Sequence, residues 1–212
     1  MLTLAFVTGT EPAKWFRRFR DSTSHGLTTR DSDDAFAALQ AGEAELALTR
    51  LPDVRVTDEF FVVTLYDEEP GVAVPKESVY AEVGEAVQLR DLDGEHINEY
   101  DTIDELRAAL QVVAANVGIA FGPKPLLKVL SKKQVVPLTL KGGSEPVTII
   151  ALVWRKAEDS DAIQDFVGVA KGRTLNSSRA AAPKRTAKEK RLAKEARRGN
   201  QSPQYRGRKK RS

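Results

Sequence analysis

The stretch from Val112 to Leu127, VVAANVGIAFGPKPLL, restricts the fold more than any other. It reads as the end of a helix, a left-handed turn at Asn116, a buried strand Val117–Phe121, and a Gly122-Pro123 turn into a helix over Lys124–Leu130. Asn is the next best residue after Gly for the left-handed position that ends a helix. A strand that stops at a loop facing a helix is the unit at which open α/β folds bind small ligands.

The segments before it fit an α/β chain. Leu2–Val7 is an apolar strand closed by Thr8-Gly9-Thr10. Glu11-Pro12 suits the first turn of a helix over Ala13–Asp21. Trp15, Phe16 and Phe19 form its apolar face, and core packing is their ordinary use. His25–Thr29 reads as a second strand. Asp31, Ser32, Asp33 and Asp34 offer N-caps for a helix over Ala35–Gln40, with Gly42 just past its end. Glu45–Thr49 is a third strand. Strands and helices alternating at this spacing predict a parallel sheet with right-handed crossovers.

Further on, Glu59–Tyr66 and Gly71–Val74 read as strands around the turn Asp67-Glu68-Glu69-Pro70. Glu77–Glu95 is weakly patterned, with a short helical turn within Val87–Leu92. His96–Tyr100 is a candidate strand. Asp101 or Thr102 caps a helix over Ile103–Ala115, whose apolar face is Ile103, Leu106, Ala109, Leu110 and Val113. Val135–Leu140 and Val147–Trp154 are strands, Gly142-Gly143-Ser144 a loop, and Ala162–Val169 a last helix.

Charge divides the chain. The 42 residues from Lys171 to Ser212 carry 16 Lys+Arg and 2 Asp+Glu, a net +14, whereas Met1–Ala170 carries −11. The acidic body is therefore a poor nucleic-acid surface, and the tail reads as a disordered Lys/Arg-rich segment. Its basic clusters are Lys184-Arg185, Lys190-Arg191, Arg197-Arg198, and Arg206, Arg208, Lys209, Lys210 and Arg211. They suit salt-sensitive contact with DNA or RNA, or with an acidic protein; a merely solubilising tail is the plain alternative. The chain has no cysteine, which excludes disulfides, thiolate metal sites and a Cys nucleophile. His25 and His96 have no partner at metal-ligand spacing, so no metal is expected. No G-x-S-x-G, Walker loop or dinucleotide fingerprint occurs, and no cofactor or catalytic set is expected. No apolar run reaches the ~20 residues of a membrane span, so a cytoplasmic protein is expected.

Three stretches resemble the effector-binding domain of LysR-type transcriptional regulators. LQAGEAELALTR, Leu39 to Arg50, is similar to the family's L-x-A-G-E-L-D-L-A-L segment. Val112 to Pro123 is similar to L-V-A-A-G-L-G-I-A-L-L-P, and Leu152 to Lys156 to the closing L-V-W-R-K strand. The resemblance implies a two-lobed α/β domain of the periplasmic-binding-protein type 2 fold over residues 1–170, with a shortened second lobe and the tail at 171–212. Lobe I is expected at about 1–72 and 140–170 and lobe II at about 76–135, with Val72–Pro75 and Val135–Leu140 as hinges. The family's N-terminal helix-turn-helix has no counterpart in this sequence.

By position, the resemblance places ligand contacts at Thr8, Gly9 and Thr10, at Arg50, and at Phe121, Gly122 and Pro123; Tyr100, Asp101 and Thr102, at another loop before a helix, are further candidates for the second-lobe wall. Thr8 and Thr10 with the first helix start suit a carboxylate, although turn and cap chemistry is their ordinary use. The implied function is a non-enzymatic module for a small anionic metabolite, with a transcription-related role and possible homodimers. Two alternatives stand beside it: a nucleic-acid- or ribosome-associated protein acting through the tail, and an enzyme on the same scaffold.

Overall fold

The computed structural model describes residues 1–143 and 148–172. The tail clusters from Lys184 to Arg211 lie outside the described residues. Leu2–Val7 (β1), Ala13–Ser22 (α1), Leu27–Ser32 (β2), Ala35–Gln40 (α2), Leu46–Leu51 (β3) and Phe60–Asp67 (β4) open the chain. Pro70–Pro75 (β5), Val79–Val83 (α3), Val87–Gln88 (β6), Ile103–Ala114 (α4), Ala120–Pro123 (β7) and Lys124–Leu130 (α5) follow. Val135–Lys141 (β8), Ile149–Arg155 (β9) and Asp161–Ala170 (α6) complete the described elements, with short 3-10 turns at Leu89–Leu92 and Lys156–Glu158.

These elements make two lobes, each around its own sheet. The first sheet has the order β2-β1-β3-β9-β4. β1 runs parallel to β2 and β3, and β9 enters antiparallel between β3 and β4. The βαβαβ opening thus gives the parallel sheet that the alternation requires. Its core gathers Leu4, Phe19, Phe36, Leu48, Leu152 and Phe166, all with no exposed surface. Burying one such side chain is worth roughly 1.5–3 kcal/mol. Phe19 packs on Phe166 with ring centroids 5.4 Å apart, joining α1 to α6. Trp15 is only half-buried against this core, beside Tyr66.

The second sheet, order β6-β8-β5-β7, is the smaller. One of its faces packs on α4 and α5 through Leu106, Leu110, Val113 and Leu127. The α4 start is a capping box. Thr102 Oγ1 accepts from the Glu105 N–H, and the Glu105 carboxylate accepts from the Thr102 N–H. Asn116 takes the left-handed conformation at φ 68, as its position after α4 predicts. Asp34 caps α2, its side chain accepting the Ala37 N–H at 2.9 Å.

Several elements differ from expectation. The second strand begins at Leu27, two residues late, because its partner β1 pairs Leu2 with Leu27. The strand expected over Val117–Phe121 is Ala120–Pro123. Gly118, at φ +68, turns the chain beneath His96, and the ladder with β5 starts only at Ala120. His96–Tyr100 forms a single parallel bridge, Ile97 to Ile119, rather than a strand. The two expected hinges, β5 and β8, pair with each other inside the second sheet. The chain passes between the sheets at Asp67 to Pro70 and again between Lys141 and Ile149. Among the described residues no helix is long and apolar enough to cross a membrane.

Candidate functional site

The first crossing between the sheets carries two adjacent carboxylates that turn to opposite lobes. Glu68 faces the first. The Arg50 guanidinium, at the end of β3, donates to it from Nε at 2.7 Å and from Nη2 at 3.0 Å. Thr148, on the returning crossing, adds its hydroxyl at 2.9 Å, and its carbonyl accepts the Glu68 N–H at 2.8 Å. The Glu68 side chain is 1% exposed, so the pair persists because its charges and lone pairs are matched. Arg50 Nη1 is buried without a partner among the described residues.

Glu69 faces the second lobe. It accepts from the Thr139 hydroxyl at 2.6 Å, and the Lys124 ammonium lies at 3.3 Å. The Thr139 hydrogen bond, aided by Lys124 and opposed by partial burial, holds the Glu69 carboxyl below its ordinary range.

Two cavities lie beside this crossing and share Tyr100, Asp101, Pro123 and Thr148. The larger, about 500 Å³, is walled by Glu68, Gly71, Asn98, Phe121 and Gly122 among others. The smaller, about 430 Å³, is walled by Arg50, Thr102, Leu126 and a group of aspartates. Tyr100 donates its hydroxyl to the Phe121 carbonyl at 2.9 Å. Burial pushes its phenol up, and the Arg50 charge works against that rise. A Cβ on Gly122 would stand 2.7 Å from the Tyr100 hydroxyl, so a side chain there would push that hydroxyl from its place on the wall.

The sequence-expected residues separate into two groups. Tyr100, Phe121, Gly122 and Pro123 line the larger cavity, and Arg50, Tyr100, Thr102 and Pro123 the smaller. Thr8, Gly9 and Thr10 line neither. The Thr8 hydroxyl donates to Asp33 at 2.7 Å, and that of Thr10 to the Val7 carbonyl at 2.7 Å. Gly9 holds φ +91, and a Cβ there would lie 2.9 Å from Arg50 Nη2 and 3.0 Å from Leu126 Cα. The loop after β1 therefore presses directly on the start of α5, bringing the lobes into contact.

Sequence reasoning passed over Glu68, Thr148 and the acidic wall. In sequence Glu68 belongs to an acidic turn that reads as solvated, and its burial depends on Arg50, 18 positions away. Asp33 and Asp34 of this wall were legible as α2 cap candidates, and Asp53 in neither role. Arg55 sits between two of them, 2.7 Å from Asp34 and 2.6 Å from Asp53. Arg55 holds the Asp53 carboxyl below its usual range against some burial. Burial works to raise Asp34, and Arg55 together with the Ala37 N–H outweighs it. The paired carboxylates in turn raise Arg55. Arg107 on α4 reaches the first lobe and holds Asp33.

No protein-family model matches this chain, and no curated protein matches it. Solved structures do. The reduced form of OxyR from N. meningitidis is similar at 16% identity, covering 82% of this chain and 96% of that one, with a TM-score of 0.59. The BenM effector-binding domain with its effector benzoate is similar at 17% identity, covering 80% and 90%, with a TM-score of 0.61. The regulatory domain of MetR, a LysR family regulator from N. meningitidis, is similar at 17% identity, covering 81% and 93%, with a TM-score of 0.50. The two lobes and their crossings are thus the fold of the effector-binding domains of LysR-family regulators.

Proposed function

We propose that this protein is a non-enzymatic module that binds a small molecule between its two lobes. The observation that carries the reading is the cavity of about 500 Å³ beside the Glu68 crossing, walled by Tyr100, Phe121 and Gly122. A pocket of that size suits a metabolite, and its wall includes the segment through which the lobes are connected. A ligand there biases how the lobes sit, which is how binding becomes a signal. The similar BenM domain carries benzoate, which makes a small-molecule effector the natural reading of this fold. A cytoplasmic, transcription-related role and pairing of two copies belong to the same proposal. The anionic class expected from Thr8 and Thr10 loses support, because both hydroxyls donate within the first lobe.

Thermal unfolding of the full chain against a metabolite library tests this. A ligand at one hundred times its Kd adds about 2.7 kcal/mol to stability. Gly122→Ala forces the Tyr100 wall to shift and is expected to weaken the hit. A library without any stabilising compound would reject the proposal.

A second reading is supported by one feature, the +14 of residues 171–212 against the −11 of the body. We propose that the tail contacts nucleic acid through phosphates, without sequence preference. Retention on DNA or RNA is expected to fall steeply with salt and to vanish when the residues after Gly172 are removed. Equal retention without them would reject it.

A further inference from the structure

Resting on the cleft as the binding site, we infer that it selects a cationic small molecule, an amine or guanidinium compound, over an anionic one. The two cavities beside the crossing are the site, and the charges on their walls decide the sign of what enters. Three guanidinium groups reach those walls or their rim, and each is already occupied. Arg50 holds Glu68 with two hydrogen bonds, and its remaining Nη1 is shut away from solvent. Arg55 is shared between Asp34 and Asp53. Arg107 is shared between Asp33 and Asp104. No Lys or Arg lines the larger cavity among the described residues.

Two carboxylates remain. Asp101 lines both cavities and Glu99 the larger. Both are exposed, and among the described residues neither side chain is in a hydrogen bond or ion pair. An entering carboxylate would meet these charges with no Lys or Arg of the described residues on the larger cavity's wall to offset them. An ammonium or guanidinium ion would gain them as acceptors. Tyr100 and Phe121, on the same wall, supply aromatic rings, which attract organic cations through their negative faces.

The test is thermal unfolding of the full chain with agmatine and putrescine, compared with benzoate and succinate at equal ionic strength. The cations are expected to raise Tm saturably, and less so as salt is added. Asp101→Asn and Glu99→Gln keep the shape of the wall and are each expected to weaken binding roughly tenfold, the scale of one charge-assisted hydrogen bond. Glu82→Gln, on α3 and outside both cavities, is expected to change nothing. If the cations act equally on the Asp101→Asn and wild-type chains, the attraction is general to an acidic protein and the inference falls. If only the carboxylates bind, the ligand class is overturned while the cleft remains a binding site. If neither set binds, the inference fails, and a blank result from the wider library would remove the cleft reading with it.

Discussion

Arg107 and Asp33, 74 positions apart, join the two lobes with two hydrogen bonds of 2.7 and 2.9 Å. The Arg107 hydrogen bond, with help from the Thr8 hydroxyl and against slight burial, holds the Asp33 carboxyl below its ordinary range. Both partners stay substantially solvent-exposed, 36% and 41% at the side chain. The pair therefore sets geometry more than stability.

Arg107→Ala is expected to cost only about 0.2–1 kcal/mol. It is expected to raise the radius of gyration measured by small-angle scattering, because α4 loses its hold on the first lobe. The Asp33 contribution is complete above the unfolded carboxylate pKa of about 3.9 and is lost as pH falls through the depressed folded value. The wild-type chain should therefore stay closed at neutral pH and loosen only in acid. A variant as compact as wild type would show that the pair does not hold the lobes.

The Arg50–Glu68 pair is the opposite case. Glu68→Gln keeps the shape and strands the Arg50 charge in a buried site, a loss of about 3–5 kcal/mol in urea unfolding. Arg50→Met combined with Glu68→Leu should recover most of that loss, since neither buried charge then remains. Additive losses in the double variant would contradict this coupling.

The contrast between these pairs marks what a sequence can disclose. α2, α5 and β1 were legible to the residue, because capping aspartates, Pro123 and an apolar run are local signals. Phe121 and Gly122 were legible as cavity walls through their place in the resemblance, and Tyr100 through its loop ahead of α4. Glu68 was not: an acidic turn looks the same whether its carboxylate meets water or a guanidinium. α3 was missed although Ser78 caps it and Gly84 ends it, because it is only 5 residues long and packs through Tyr80 and Ala81 while Val79 and Val83 stay exposed, which leaves no helical period to read. β7 was displaced because its pairing partner, β5, sets where the ladder begins.

Gly118 is expected to be among the least replaceable residues. It holds φ +68, and a Cβ there would lie 2.1 Å from the His96 carbonyl oxygen. Gly118→Ala should cost about 3 kcal/mol, at the upper end for single substitutions, because the obstacle is backbone. Denaturant unfolding of the variant checks this. A loss below about 1 kcal/mol would mean that the segment 96–98 is free to move.

Thr102→Ala removes the α4 cap and should cost about 1 kcal/mol. Because Tyr100 and Asp101 immediately precede that cap, hydrogen exchange should quicken at 100–106 before it does elsewhere in the second lobe. Uniform quickening would place the effect outside the cap.

The central claim, that a ligand is held between the lobes, is tested most directly by hydrogen exchange of the full chain with and without a saturating hit from the library. Protection is expected together at Thr49–Arg50, at Glu68–Gly71, at Asn98–Thr102 and at Phe121–Leu126, which include the walls contributed by the first lobe, the crossing and the second lobe. Protection confined to one of these segments, or to residues outside both cavities, would contradict it.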